Sequence, residues 1–256
     1  MNAFRLLWAG VRFHVKSLTM SAFFILTSVI QPVIFASLAF FMFKAGARPG
    51  SLLYVALGAG LMGIWSSVLF GSGGAIQWQR WQGTLEVAIA APARFVLILL
   101  PMTLSTSVIG LYSLSATLLW GKLFFGVPFE LERPLLFVLA VPATVIGLGF
   151  LGLVLASTFV LYRNATALSN LLEYPVWLAT GLLVPLSLLP SWSRPIGWVL
   201  APTWGIRALR DAAFGGDALA AIGMCLVLSA AYLVIGAFFI GLFERLARER
   251  ATLSLQ

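Results

Sequence analysis

What most constrains this chain is a series of apolar stretches without Asp, Glu, Lys or Arg, at 18–43, 51–76, 95–120, 134–161, 174–190 and 218–243. A helix rises about 1.5 Å per residue, so roughly twenty such residues cross a bilayer core of about 30 Å. The fifth stretch is the shortest, and Glu173, Tyr174 and Pro175 crowd its start. With 61% of 256 residues hydrophobic and a mean hydropathy of +1.02, the composition lies far above the apolar share of ordinary globular domains. The expected fold is all-α and integral to the membrane, with six transmembrane helices and no separate soluble domain. The first stretch is too long for the apolar region of a secretory signal and lacks a small-residue cleavage site, so it is expected to remain as a span.

The same composition excludes several chemistries. Cys225 is the single cysteine and falls within the sixth stretch, and His14 is the single histidine. Neither an intramolecular disulfide nor a Cys or His metal cluster is therefore available. No catalytic, cofactor-binding or metal-ligating set is assigned. The formal net charge of +8 comes from residues scattered over loops and tails. That scatter argues against nucleic acid and for the anionic headgroups of membrane lipids.

Between the spans, three segments carry a pattern of their own. In residues 1–17, MNAFRLLWAGVRFHVKS, helical spacing puts Phe4, Leu7, Trp8, Val11 and Val15 on one face and Arg5, Arg12 and Lys16 on another. This is the signature of an amphipathic helix lying in the membrane interface. Residues 77–93 follow the second stretch. Plotted as a helix, Trp78, Trp81, Leu85, Ala88 and Ile89 form one stripe, while Gln79, Gln82, Gly83, Thr84 and Glu86 take the other faces. Such a segment is too polar to span and too apolar to float, so it is expected to lie along the membrane surface until Pro92 closes it. Residues 191–217 hold three tryptophans, three arginines and two prolines. Thr203 is placed to cap a helix over about 204–214, Gly215-Gly216 to end it, and Asp217 to cap the sixth span. Trp192, Trp198 and Trp204 suit the headgroup level, and the segment is read as interfacial or re-entrant helices. The tail, 244–256, continues the sixth helix, with Arg245 and Glu249 placed to pair at i,i+4.

Arg80, Gly83-Thr84-Leu85-Glu86 and Pro92, coming after the second span, resemble the cytoplasmic motif of ABC-2 type permeases, the membrane subunits of ATP-driven exporters. Pro185, Leu186, Leu189-Pro190, Trp192, Pro195, Pro202-Thr203 and Arg210 are similar to the family's pattern around its fifth span and outer loop. With the six spans and the amphipathic leader, the resemblance covers nearly the whole chain. One departure is Gln79, where the family often has an acidic residue before the arginine.

The resemblance implies that Arg80, Gly83, Thr84, Leu85, Glu86 and Pro92 belong to a coupling helix that docks on a nucleotide-binding ATPase subunit. Arg80 and Glu86 would supply charge-assisted contacts there. It implies a multi-pass protein of the cell's inner or plasma membrane with both termini and residues 77–93 in the cytoplasm. The basic residues alone divide nine to seven between the two sides and leave the orientation open. Pro190, Trp192, Pro202, Arg207 and Arg210 would form an outer cap. No G-x-x-x-x-G-K-[ST] occurs, and Gly121-Lys122 lacks the glycine spacing that cradles phosphates. ATP and Mg are accordingly expected on a separate ATPase chain, with this chain binding no cofactor itself. A second copy, or a homologous permease, is expected to complete the transporter.

Away from their borders the spans contain no Asp, Glu, Lys, Arg or His. Proton- and sodium-coupled carriers use such groups at membrane depth, so this counts against them and for a small amphiphilic substrate that is drug-like, antibiotic or lipid-like. In the family the second and fifth spans line the route. That makes Trp65, Phe70, Trp177 and Leu178 candidate contacts, beside the reading that each simply packs between helices. Gly58, Gly60 and Gly63, and Gly147, Gly149 and Gly152, permit close helix approach. The hydroxyls of the third span can bond their own backbone. Glu173, at the start of the fifth stretch, is read as complementing a helix dipole, with a gating role as the alternative. The expected function is the permease of an ABC exporter working by alternating access. The alternatives are a polysaccharide or glycolipid exporter and, in a different class, an ATP-independent channel or membrane scaffold.

Overall fold

A computed structural model describes residues 3–45, 52–81, 83, 87, 91, 94–161 and 165–250. Among the described residues the regular structure is helical: α1 (Ala3–Thr19), α2 (Ala22–Ala45), α3 (Leu52–Trp81), α4 (Val96–Ile109), α5 (Leu111–Phe125), α6 (Pro134–Leu161), α7 (Ala165–Ala179), α8 (Arg194–Trp198), α9 (Ala201–Phe214) and α10 (Ala218–Arg250). Single 3-10 turns lie at Leu186–Leu188 and Ser191–Ser193.

Four helical stretches are long and apolar enough to cross a membrane: Leu52–Gly74, Val96–Phe125 (α4 and α5 together), Pro134–Phe159 and Ala218–Arg245. The described part of α2 adds a shorter apolar stretch, Ser28–Lys44. The region 174–190 is built differently from a single helix. Its first residues lie on α7, which begins at Ala165 and ends at Ala179, and the chain then turns through Gly181 at φ +79. Pro175 stands inside α7 rather than ahead of a helix. Prolines are tolerated within membrane helices because neighbouring groups take over the freed carbonyl, and Pro32, Pro101 and Pro142 are likewise internal.

α3 is the spine. It packs against α2, α4, α5, α6, α7 and α9, while α10 lies outside on α6 and α9. In a lipid surrounding, burying apolar side chains gains little, so helices associate through van der Waals contact and hydrogen bonds at small residues. The contacts of α3 follow this rule. Cβ atoms built at Gly60 and Gly110 would stand 2.9 Å from the Leu114 Cα and 2.8 Å from the Ile64 Cα, so α3 and the α4–α5 span meet backbone to backbone. The third span's hydroxyls bond both within their helix and across it. Thr103 and Thr106 donate to carbonyls three residues back, whereas Ser107 donates to Val145 O on α6 at 2.6 Å and Ser113 to Ser28 O on α2 at 2.6 Å. They are ties between helices.

α1 meets the bundle along one face, chiefly against α4. Gly10 lets Pro101 approach, with a Cβ there meeting Pro101 at 2.8 Å, and Ser105 donates to Val11 O at 3.2 Å. Burial lowers the pKa of His14, so its imidazole is neutral at pH 7. Of the apolar face read from the sequence, Leu7 packs against the core while Phe4 and Trp8, with Phe13, remain exposed. The apolar surface of α1 is wider than its contact, which leaves aromatic rings for the interface.

The start of α9 departs from the sequence reading. Leu200, not Thr203, is its N-cap. Tyr232 of α10 supplies the cap, accepting from Ala201 N–H at 3.2 Å and donating to Val199 O. The far end is as expected: Gly215 closes α9 at φ +87, and Asp217 accepts from Ala220 N–H at 3.2 Å at the start of α10.

Gly110→Leu is expected to force the two spans apart and destabilise the protein by about 2 kcal/mol or more. Gly223→Leu, where a Cβ meets nothing within 4 Å, should leave stability unchanged; thermal unfolding of both variants in nanodiscs checks this.

Candidate functional site

The candidate residues fall at the two ends of α3 and along its seam with α7. At one end α3 continues unbroken past the apolar stretch 51–76 to Trp81. Gly83 then takes φ +67, a left-handed conformation that a side chain would strain. Residues 77–81 thus extend α3, and the stripe plotted through 77–93 is split at Gly83. Val87 is again helical and exposed. Thr84, Leu85, Glu86 and Pro92 lie outside the described residues, as does the side chain of Arg80, whose backbone belongs to α3. The chain returns at Phe95, which is fully buried. Its N–H donates to Glu244 Oε2 at 3.1 Å, and its ring lies 6.5 Å from that of Phe243. A carboxylate at a helix N-terminus is favoured by the exposed N–H groups and the helix dipole. Glu244 thereby fastens the beginning of α4 to α10, a tie the sequence reading did not find.

Along the seam, Ser169 donates to Leu69 O at 3.4 Å and Ser66 donates to Glu173 Oε1 at 2.7 Å, so α7 runs antiparallel to α3. Because α7 begins at Ala165, Glu173 is two turns inside the helix and does not cap its start. It is 3% exposed. Trp177, one turn further on, is packed edge-on against Phe35 of α2 at 5.2 Å and Tyr174 at 5.0 Å. The sequence-derived path residues do not share one surface. Trp65 and Trp177 join the same buried core, Phe70 is half-buried, and Leu178 is exposed. The indole N–H groups of Trp65 and Trp177 have no hydrogen-bond partner among the described residues.

At the other end, the two arginines of α9 point in opposite senses. Arg207 is exposed, 3.5 Å from Asp211 and 5.5 Å from the Trp204 ring centroid. Arg210 turns inward. It donates to Gly181 O at 2.8 Å, Leu182 O at 3.2 Å and Tyr54 O at 3.3 Å, with its guanidinium 3.4 Å from the Tyr54 ring centroid. Burial pulls its pKa down to about 10, so it stays cationic at pH 7. Gly58 leaves the space in which Arg210 and the Leu182 carbonyl meet α3. One side chain thus binds the carbonyls beyond the end of α7 to the Tyr54 end of α3. Of the remaining cap residues, Pro202 is buried in the first turn of α9, whereas Pro190 and Trp192 stand exposed on the surface. Among the described residues no group of three His, Cys, Asp or Glu could hold a metal ion.

Arg210→Ala should cost at least about 2 kcal/mol, because it strands buried carbonyls without a donor. Arg207→Ala, which removes only an exposed pair, should cost under about 1 kcal/mol; the two shifts in thermal midpoint measure the difference.

The family model for the ABC-2 type transporter matches residues 5–214, which takes in everything from α1 to the end of α9. No curated protein matches the chain. The chain belongs to the ABC-2 type transporter family and is a multi-pass membrane permease of the ABC type.

Proposed function

We propose that this permease is the membrane half of an ATP-driven exporter that carries a hydrophobic or amphiphilic substrate, drug-like, antibiotic or lipid-like, outward by alternating access. A separate nucleotide-binding subunit holds ATP and Mg, and a second permease, identical or homologous, completes the pathway. On this reading both termini and residues 77–93 face the cytoplasm, and α8 and α9 with the turns before them form the outer cap.

The observation that supports this most is the continuity of α3. The helix runs without a break from Leu52, beside the Arg210 tie, through the bundle to Trp81. A helix packed on six neighbours moves as a body, since close-packed interiors transmit displacement rather than absorb it. A push on the segment after Trp81 therefore reaches the Arg210 end without being lost in a flexible joint. The Glu244 contact gives the returning chain a second connection, to α10. Closure of two ATPase subunits on nucleotide would rock the helices of one permease against the other and expose the substrate to the outer side.

Glu86→Arg is expected to insert and assemble normally but to lose at least tenfold in substrate-stimulated ATP hydrolysis, because it reverses the charge at the ATPase contact. The comparison is made in proteoliposomes containing the partner ATPase. Wild-type stimulation in the variant would contradict the role given to residues 77–93.

A further inference from the structure

Glu173 and Arg210 are the charged residues buried within the described structure. Arg210 donates to three carbonyls and lies over a tyrosine ring, with its Nε alone unpartnered among the described residues. Glu173 is not accounted for in this way. It has the Ser66 hydroxyl at 2.7 Å, and among the described residues no Lys, Arg or His pairs with it. Ser66 is ten residues before residue 76, where the apolar stretch 51–76 ends, so the carboxylate lies roughly 15 Å inside that stretch. An ionisable group at that depth carries a large desolvation cost, and such groups are found where a substrate or ion passes.

Its surroundings suit one kind of ligand. Trp177 stands one turn along the same helix, flanked by Phe35 and Tyr174. Aromatic faces beside a carboxylate attract organic cations, whose charge is diffuse and weakly hydrated. Tyr174 carries this aromatic group out to the surface of α7, where it is 57% exposed and an apolar body can lie against it. The parts fit a molecule with a cationic head and an apolar body.

We propose that the seam between α3 and α7, with Glu173 as its charge-recognising group and Ser66 orienting it, binds the cationic head of an amphiphilic substrate. This rests on the exporter reading and narrows it to one substrate class. Ser66 holds one carboxylate oxygen, and the incoming organic cation pairs with the carboxylate by charge as the seam opens.

The test uses the full-length chain with its partner ATPase in nanodiscs and two dansyl amphiphiles with the same alkyl chain. One ends in trimethylammonium and the other in a neutral hydroxyl group. The wild-type protein is expected to bind the cationic probe at least tenfold more tightly, and Glu173→Gln to abolish that preference while still binding the neutral probe. Glu173→Met, which leaves no polar atom to satisfy in the seam, serves as the second variant and should behave alike. A wild-type protein with no preference overturns the proposal whatever the variants do. So does a variant that keeps the preference, or one that is well folded and loses both probes equally, since Glu173 would then act only in packing. ATP-driven uptake into inside-out vesicles separates this from the reading beneath it. Equal uptake of both probes overturns the cation site and leaves the exporter standing, whereas uptake of neither overturns the exporter reading itself.

Discussion

The structure depends on the close approach of α3 to its neighbours. In a bilayer the apolar effect gives helices no reason to prefer one another over lipid, so association rests on contact distance and on hydrogen bonds between them. Gly60 and Gly110 bring α3 against the α4–α5 span at backbone distance. Ser113, Ser107 and Ser169 then tie α2, α6 and α7 into the same packing. Without those small residues the helices could not stand close enough for short side chains such as serine to reach across. The hydroxyls and the glycines are two parts of one arrangement, centred on α3 and the α4–α5 span.

This arrangement gives the molecule two differently secured ends. At one, Arg210 gathers the turn after α7, the Tyr54 end of α3 and the cap helix α9 through a single guanidinium. At the other, α3 projects beyond its apolar stretch to Trp81 and gives way at Gly83 to a segment whose return is fixed by Glu244. The first end is held by a buried charge, and on the proposed reading the second meets the ATPase. A helix stiff between such ends carries a displacement from one to the other, which is what a permease driven by a separate ATPase requires.

Much of this was legible in the sequence where the determining physics is local. The apolar stretches follow from composition, and the end of α9 and start of α10 follow from Gly215 and Asp217, which act within a few residues of themselves. What escaped notice is tertiary. Thr203 looked like the cap of α9, but Tyr232 reaches over from α10 to satisfy the first N–H. Pro175 suggests the start of a helix and displaces the beginning of α7, so the sequence sets Glu173 against a helix dipole, whereas it is an interior residue facing Ser66. Arg207 and Arg210 are one turn apart and chemically alike, and only the fold turns one to water and the other to three carbonyls. The amphipathic stripe through 77–93 reads as one helix because periodicity does not reveal that α3 runs on to Trp81.

The central claim is that the segment after α3 meets an ATPase on the cytoplasmic side. Val87 is 70% exposed and helical, which suits Val87→Cys in a Cys225→Ser background as a reporter. Modification by a membrane-impermeant maleimide would be compared in inside-out and right-side-out vesicles, with and without the partner ATPase. The account predicts labelling only in inside-out vesicles and protection when the ATPase is present. Labelling from the outer face, or labelling that the ATPase does not reduce, would contradict it.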